Sequence, residues 1–158
     1  MTKIIVFADI HGNTHNLLKL VPIIEKADTA LFLGDGVGSL EILPNYINKK
    51  LSVVRGNCDL FCRLPDELVL EIAGKRILMT HGHIYNVKNT NREIIKAASD
   101  NNVDICLYGH THDYSEITSN NTMIINVPPL GTSRTLQGGS YLELVIQDGQ
   151  VTSTLKKV

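Results

Sequence analysis

The sequence has no apolar run approaching the roughly 18 to 20 residues that a membrane-crossing helix requires. Its first residues, up to Ala8, begin like a signal peptide, but Asp9 and His11 interrupt the apolar run. The three cysteines, Cys58, Cys62 and Cys106, are odd in number and form no CxxC pair, which argues against the disulfide framework of a secreted domain. Neither sign of charge dominates: 15 Lys and Arg stand against 16 Asp and Glu, so a formal net charge of -1 advertises neither a stable nucleic-acid-binding surface nor an acidic tail. Internal repeats, low-complexity tracts and linkers are also lacking. The expectation is a soluble, cytoplasmic protein with no membrane association. At 158 residues the chain reads as one domain, 1–158, able to bury about two-thirds of its unfolded surface without a disulfide.

Lys3 to Ala8 reads as a strand covered on both faces, ending at Asp9. Asn13 or Thr14 then caps a helix carrying Leu17, Leu18, Val21 and Ile24, with Pro22 as a point of kinking or restart. Thr29 to Leu33 is a second strand, ending at Gly34-Asp35-Gly36, and a weaker helix carries Leu40, Leu43, Tyr46 and Ile47. Leu51 to Val54 is a third strand that runs into Arg55-Gly56-Asn57-Cys58-Asp59. This alternation belongs to an α/β sheet with right-handed crossovers. Leu60 to Pro65 is loop, and Glu67 to Ile72 and Lys75 to Met79 form a hairpin through Ala73-Gly74. A helix with Ile94, Ile95 and Ala98 on one face leads to a strand over Val103 to Tyr108. The remainder reads as a β meander over Ser115 to Thr118, Met123 to Val127, Tyr141 to Ile146 and Val151 to Leu155, turning at Asn120-Asn121 and Asp148-Gly149.

Five polar motifs stand at five strand ends: Asp9-Ile10-His11, Gly34-Asp35, Gly56-Asn57-Cys58-Asp59, His81-Gly82-His83 and Gly109-His110-Thr111-His112. Loops beyond the carboxyl ends of strands in open α/β sheets converge on the binding crevice. Taken singly, Asp and Asn beside Gly are ordinary turn formers, and a lone histidine such as His15 is a surface residue. As an ordered set, Asp9, His11, Asp35, Asn57, His81, His110 and His112 offer two carboxylates, four imidazoles and one carboxamide. That mixture suits divalent Mn, Fe, Co, Ni or Zn, whereas calcium or magnesium does not call for four histidines. Two ions bridged by a carboxylate use all seven groups. With two aspartates and one hydroxide the cluster carries a charge of about +1, which favours an anionic substrate such as a phosphoester.

The ordered motifs resemble those of the calcineurin-like metallophosphoesterase superfamily, and Arg55 to Asp59 resembles its small bacterial and archaeal phosphodiesterase branch. The resemblance covers Ile4 to Val127. It implies a four-layer α/β/β/α sandwich of two mostly mixed sheets. Carried over by motif, one metal is held by Asp9, His11, Asp35 and His112, and the other by Asp35, Asn57, His81 and His110, with Asp35 as the bridge. A hydroxide between two divalent ions, manganese favoured, attacks phosphorus in line, with His83 helping to neutralise the phosphoryl oxygens. Asp35, Asn57, His83 and Cys58 are the residues nearest the chemistry. A small phosphoester, nucleotide-like in character, is the implied substrate, and a homodimer is implied by resemblance alone.

Three departures qualify the carry-over. Cys58 stands where many family phosphatases have a histidine that contacts phosphate or protonates the leaving group; a thiol does both poorly, so activated or low-pKa leaving groups are favoured. Cys58 also admits readings as a nucleophile, as a zinc ligand with Cys62, or as a small loop residue. Gly38 replaces a second acidic residue, and Asn126-Val127-Pro128-Pro129-Leu130-Gly131 replaces Asn-Pro-Gly-Ser, with Ser133 and Arg134 expected to border the site. Cys106 is expected in the core, and Arg55 and Arg134 either pair with Asp59 or reach a phosphate. The competing reading is an interaction scaffold, since the vacuolar-sorting retromer subunit resembles the same fold. A metal-dependent amidohydrolase is weaker: the first strand ends in Asp-x-His rather than His-x-His, and the chain is too short for eight βα units.

Overall fold

Ile4 to Ala8 are fully buried, because the strand they form is central to its sheet and covered on both faces. The computed structural model describes residues 1–131 and 138–158. In chain order the elements are β1 (Thr2–Phe7), α1 (Thr14–Lys26), β2 (Thr29–Phe32), a 3-10 segment (Val37–Asn45), β3 (Ser52–Val53), β4 (Glu67–Ile72) and β5 (Lys75–Thr80). A 3-10 turn (His83–Tyr85), α2 (Arg92–Asp100), β6 (Ile105–Tyr108), β7 (Ser115–Ser119), β8 (Thr122–Asn126), β9 (Ser140–Gln147) and β10 (Gln150–Lys157) follow.

Two mixed five-stranded sheets result, ordered β10-β9-β1-β2-β3 and β4-β5-β6-β8-β7. Alternation along the strands divides their apolar residues between two faces. Ile4, Val6, Ala8, Leu31 and Leu33 point inward and pack with Ile77, Met79, Ile105, Leu107 and Ile125 of the second sheet. Ile5, Phe7, Ala30 and Phe32 point outward under Leu17, Leu20 and Ile24 of α1 and Leu43 of the 3-10 segment. Leu78, Cys106, Tyr108 and Ile124 meet Ile94, Ala97 and Ala98 of α2 on the far side. The layers are therefore α/β/β/α, as the resemblance implies, and Cys106 is core.

Several elements differ from the sequence expectation. The last four strands are not one meander: β7 and β8 complete the second sheet, while β9 and β10 return to the first, β9 lying antiparallel to β1. The chain thus changes sheets between β8 and β9. The weak helix is 3-10 over Val37–Asn45, with Pro44 inside it and Tyr46 left exposed. Asn13 rather than Thr14 caps α1, which runs unbroken through Pro22 and buries Leu20 in place of Leu18. The hairpin turns do fall where expected, with positive φ at Ala73 and Gly74, at Asn120 and Asn121, and at Asp148 and Gly149. Ser133 and Arg134 lie outside the described residues. No described helix is long and apolar enough to cross a membrane.

One buried polar side chain ties helix to loop. Asn16 of α1 donates through Nδ2 to the carbonyls of Leu130 at 2.8 Å and Gly131 at 3.2 Å, and Gly131 N–H in turn donates to the Asp9 carbonyl at 3.0 Å. Replacing Asn16 with leucine is expected to cost about 1–3 kcal/mol by stranding those carbonyls. Urea denaturation of N16L against the wild type measures it.

Candidate metal centre

The loops leaving β1 and β2 meet through backbone hydrogen bonds, as do those leaving β5 and β6. Asp9 N–H donates to the Gly34 carbonyl at 2.9 Å, Ile10 N–H to the Asp35 carbonyl at 2.9 Å, and Gly109 N–H to the His81 carbonyl at 3.1 Å. Close approach requires glycine at two places. A Cβ on Gly56 would stand 2.0 Å from Asp35 Oδ1, and one on Gly109 would stand 2.9 Å from Asp9 Oδ2. Asp9, His11, Asp35, His110 and His112 all adopt positive φ, between 46° and 71°. Each such non-glycine residue costs on the order of 1 kcal/mol or more, and strain of this kind concentrates at functional sites.

The side chains fall into sets of facing donors. In the first, His11 Nε2 and His112 Nε2 are 3.1 Å apart, and Asp9 Oδ1 lies 3.5 Å from His11 and 3.3 Å from His112. A tetrahedral ion with bonds of about 2.0–2.1 Å has donor-to-donor edges of about 3.3–3.4 Å, so the triangle fits a divalent ion. Asp9 Oδ1 is buried and accepts no hydrogen bond among the described residues, an expense that a bound cation would remove. In the second set, His81 Nε2 is 3.3 Å from Asp35 Oδ2 and 3.1 Å from His110 Nδ1. Asp35 Oδ2 also faces His11 Nε2 at 3.9 Å, so one carboxylate oxygen looks toward both sets. A third group brings His11, Asp35 and Cys58 together.

Electrostatics suits cation capture. Burial alone would raise the Asp9 and Asp35 carboxyls, but the facing imidazoles outweigh it and lower both. His110 is pushed down to about 4 by burial and by His81, leaving a neutral imidazole at pH 7. Burial would lower His81, yet the Asp35 contact raises it. Its Nδ1 hydrogen-bonds the Leu33 carbonyl at 2.9 Å, which fixes the tautomer and leaves Nε2 facing the donors. His83 lies beside His81 and His110, held down by burial and His81, with Asp66 Oδ1 3.7 Å away. Asn57 is exposed on the adjoining loop, and its amide donates to Cys58 Sγ at 3.4 Å.

Asp59 is the residue whose role the sequence does not reveal. Its Oδ1 accepts from Gly36 and Val37 N–H, and its Oδ2 from Asp35 and Gly56 N–H, all at 2.8 Å. Four donors from two loops are thus tied to one carboxylate. The Arg55 expectation is corrected accordingly: Asp59 is saturated by backbone, and Arg55 pairs with Asp66 instead, Nε to Oδ1 at 2.9 Å. Asn126 stands out in the sequence only as part of an altered motif; its amide hydrogen-bonds Thr111 Oγ1, between the two histidines of that loop. The spacing of Asp59 two residues after Asn57 marks its membership of the motif but not its anchoring role, and the Asn126 contact has no sequence signal. Among the described residues, no donor group includes Cys62.

A family sequence model, the calcineurin-like phosphoesterase superfamily domain, matches residues 2–149, and the chain belongs to that family. Among curated relatives, a probable metallophosphoesterase of Bacillus subtilis, YsnB, is 27% identical over 150 residues, covering 95% of this chain and 88% of the relative. A solved structure from Streptococcus pneumoniae TIGR4, a conserved uncharacterised protein and predicted phosphoesterase, is similar with a TM-score of 0.84 and 24% identity, covering 99% of this chain and 89% of that one. Wild-type Vps29 of Entamoeba histolytica complexed with zinc aligns with a TM-score of 0.76 at 20% identity, covering 98% of each chain. At these identities the two structures show a shared fold.

Two substitutions test the scaffold of the site. Asp59→Asn places an amide N–H₂ against backbone donors and is expected to lower stability by at least about 2 kcal/mol and reduce bound metal, read by denaturation and elemental analysis. Gly56→Ala drives a methyl group into Asp35 and is expected to reduce metal content even where the protein folds.

Proposed function

We propose that this metallophosphoesterase is a dinuclear phosphodiesterase, and the observation carrying the proposal is the pair of facing donor sets joined at Asp35 Oδ2. Asp9, His11, Asp35 and His112 would hold one ion, and Asp35, Asn57, His81 and His110 the other. When bound, two divalent ions supply Lewis acidity and water activation for in-line displacement at phosphorus. The protein's own part is positioning and charge. Asp9 and Asp35 stay ionised, His110 stays neutral, and the Leu33 carbonyl keeps His81 Nε2 turned inward. His83, with a buried Nδ1 that has no hydrogen-bond partner among the described residues, is placed to orient a phosphoryl oxygen.

Cys58 supports a diester with a good leaving group over an alkyl monoester. Burial and the Asp35 carboxylate push its thiol up to about 11, so it protonates a departing alkoxide poorly. A diester also carries one negative charge fewer than the dianion of a monoester, which matches a cluster of about +1. Nitrogen and oxygen donors alone fit manganese as well as zinc, and zinc is the ion in the Vps29 complex of the same fold.

Vps29 also motivates the second reading, an interaction scaffold. The two facing sets of Asp and His donors favour the hydrolase. Metal-loaded protein should hydrolyse bis(p-nitrophenyl) phosphate, and Asp35→Ala or His110→Ala should lower kcat by at least about a hundredfold. Failure to turn over with manganese, nickel, cobalt or zinc, together with fewer than one tightly bound metal per chain, would favour the scaffold.

A further inference from the structure

We infer that Cys58 is itself a metal ligand of this centre, its sulfur binding an ion shared with His11 and Asp35, and that it tilts the site toward thiophilic divalent ions and away from manganese. The inference rests on the dinuclear reading above and adds a ligand to it. Cys58 Sγ, an imidazole nitrogen of His11 and a carboxylate oxygen of Asp35 lie within 4.8 Å of one another. His11 belongs also to the set with Asp9 and His112, and Asp35 to the set with His81 and His110. The sulfur therefore shares one residue with each of the two sets.

Its place is fixed by the backbone. Cys58 N–H donates to Asp35 Oδ1 at 2.8 Å, and Asp59 holds the Asp35 and Gly56 backbone with hydrogen bonds of 2.8 Å on either side of that contact. An independent feature points to a cation beside His11: fully buried Asp9 Oδ1, without a hydrogen-bond partner among the described residues, is 3.5 Å from His11 Nε2. Imidazole, carboxylate and thiolate together are donors that zinc accepts, whereas manganese selects oxygen and imidazole. On binding, the S–H bond breaks, a sulfur electron pair forms the bond to the ion, and the proton passes to solvent. No electron is transferred. Cys106 is enclosed in the core and Cys62 joins no donor group among the described residues, which makes Cys58 the thiol in position to bind.

Cobalt(II) reports a sulfur ligand by charge-transfer absorption in the near ultraviolet. The full chain, reduced and reconstituted with cobalt, is expected to show that band; Cys58→Ser should still bind cobalt by elemental analysis and lose the band. The ratio of cadmium to manganese affinity should fall by about tenfold or more in C58S. Cys58 is exposed, so C58S should keep the wild-type circular dichroism and urea midpoint. Cobalt bound with visible bands that change in His112→Ala, but with no sulfur band in the wild type, would overturn the inference and leave the metal centre standing. A band that persists in C58S would overturn it too. If the wild type binds no cobalt, zinc or manganese, the dinuclear reading fails and the inference with it.

Discussion

One carboxylate holds the mouth of this sandwich together. Asp59 receives four backbone N–H groups, from Asp35, Gly36, Val37 and Gly56, and so locks the loops after β2 and β3 to each other. Charge-assisted bonds of this kind are roughly twice as strong as neutral ones, and Asp59 is almost completely buried. Asp35 can then keep its left-handed backbone, with Oδ1 on Cys58 N–H and Oδ2 toward His81 and His11. Without the anchor, the Asp35 loop would lose the tie to the β3 loop that opposes its relaxing to an unstrained turn.

The layers themselves follow from simple rules. Strands buried on both faces need apolar residues at every position, and Ile4 to Ala8 and Ile105 to Tyr108 have them. Both stop at the first polar residue, so the candidate ligands stand at the rim where the core ends. The second sheet shows the same device: Ile77 to Thr80 is fully buried up to His81. Burial then does chemical work, because it makes the unpartnered Asp9 oxygen costly and keeps His110 neutral.

The same rules decide what is legible in the sequence. Strand ends, hairpin turns and motif order are local signals, and they suffice to gather Asp9, His11, Asp35, His81, His110 and His112 into one candidate centre. Strand exchange is not local. Nothing in Tyr141 to Ile146 says that its partner is β1, more than a hundred residues earlier; only the unfilled edge of β1 requires it. Side-chain to backbone contacts are hidden for a similar reason. Asp59 reads as one more acidic loop residue until four N–H groups are seen to converge on it, and Arg55 looks equally able to pair with Asp59 or to reach a phosphate. The 3-10 segment carries helical apolar spacing, but Gly36 and Pro44 at its ends favour a tighter, shorter form.

Five candidate ligands in left-handed conformations imply that the donors are arranged before any ion arrives. A loop free to choose would leave Asp9, His11, Asp35, His110 and His112 in the right-handed or extended regions, at a gain of about 1 kcal/mol or more each. The chain forgoes that gain because each loop is held at both ends, by strand pairing on one side and by Asp59, Asn16 or Asn126 on the other. Preorganised donors spend less of the binding free energy on ordering themselves. The stability of the two-sheet core is thus what maintains the geometry at its rim, and a change that weakens the anchors should be felt first in metal affinity and only later in the fold.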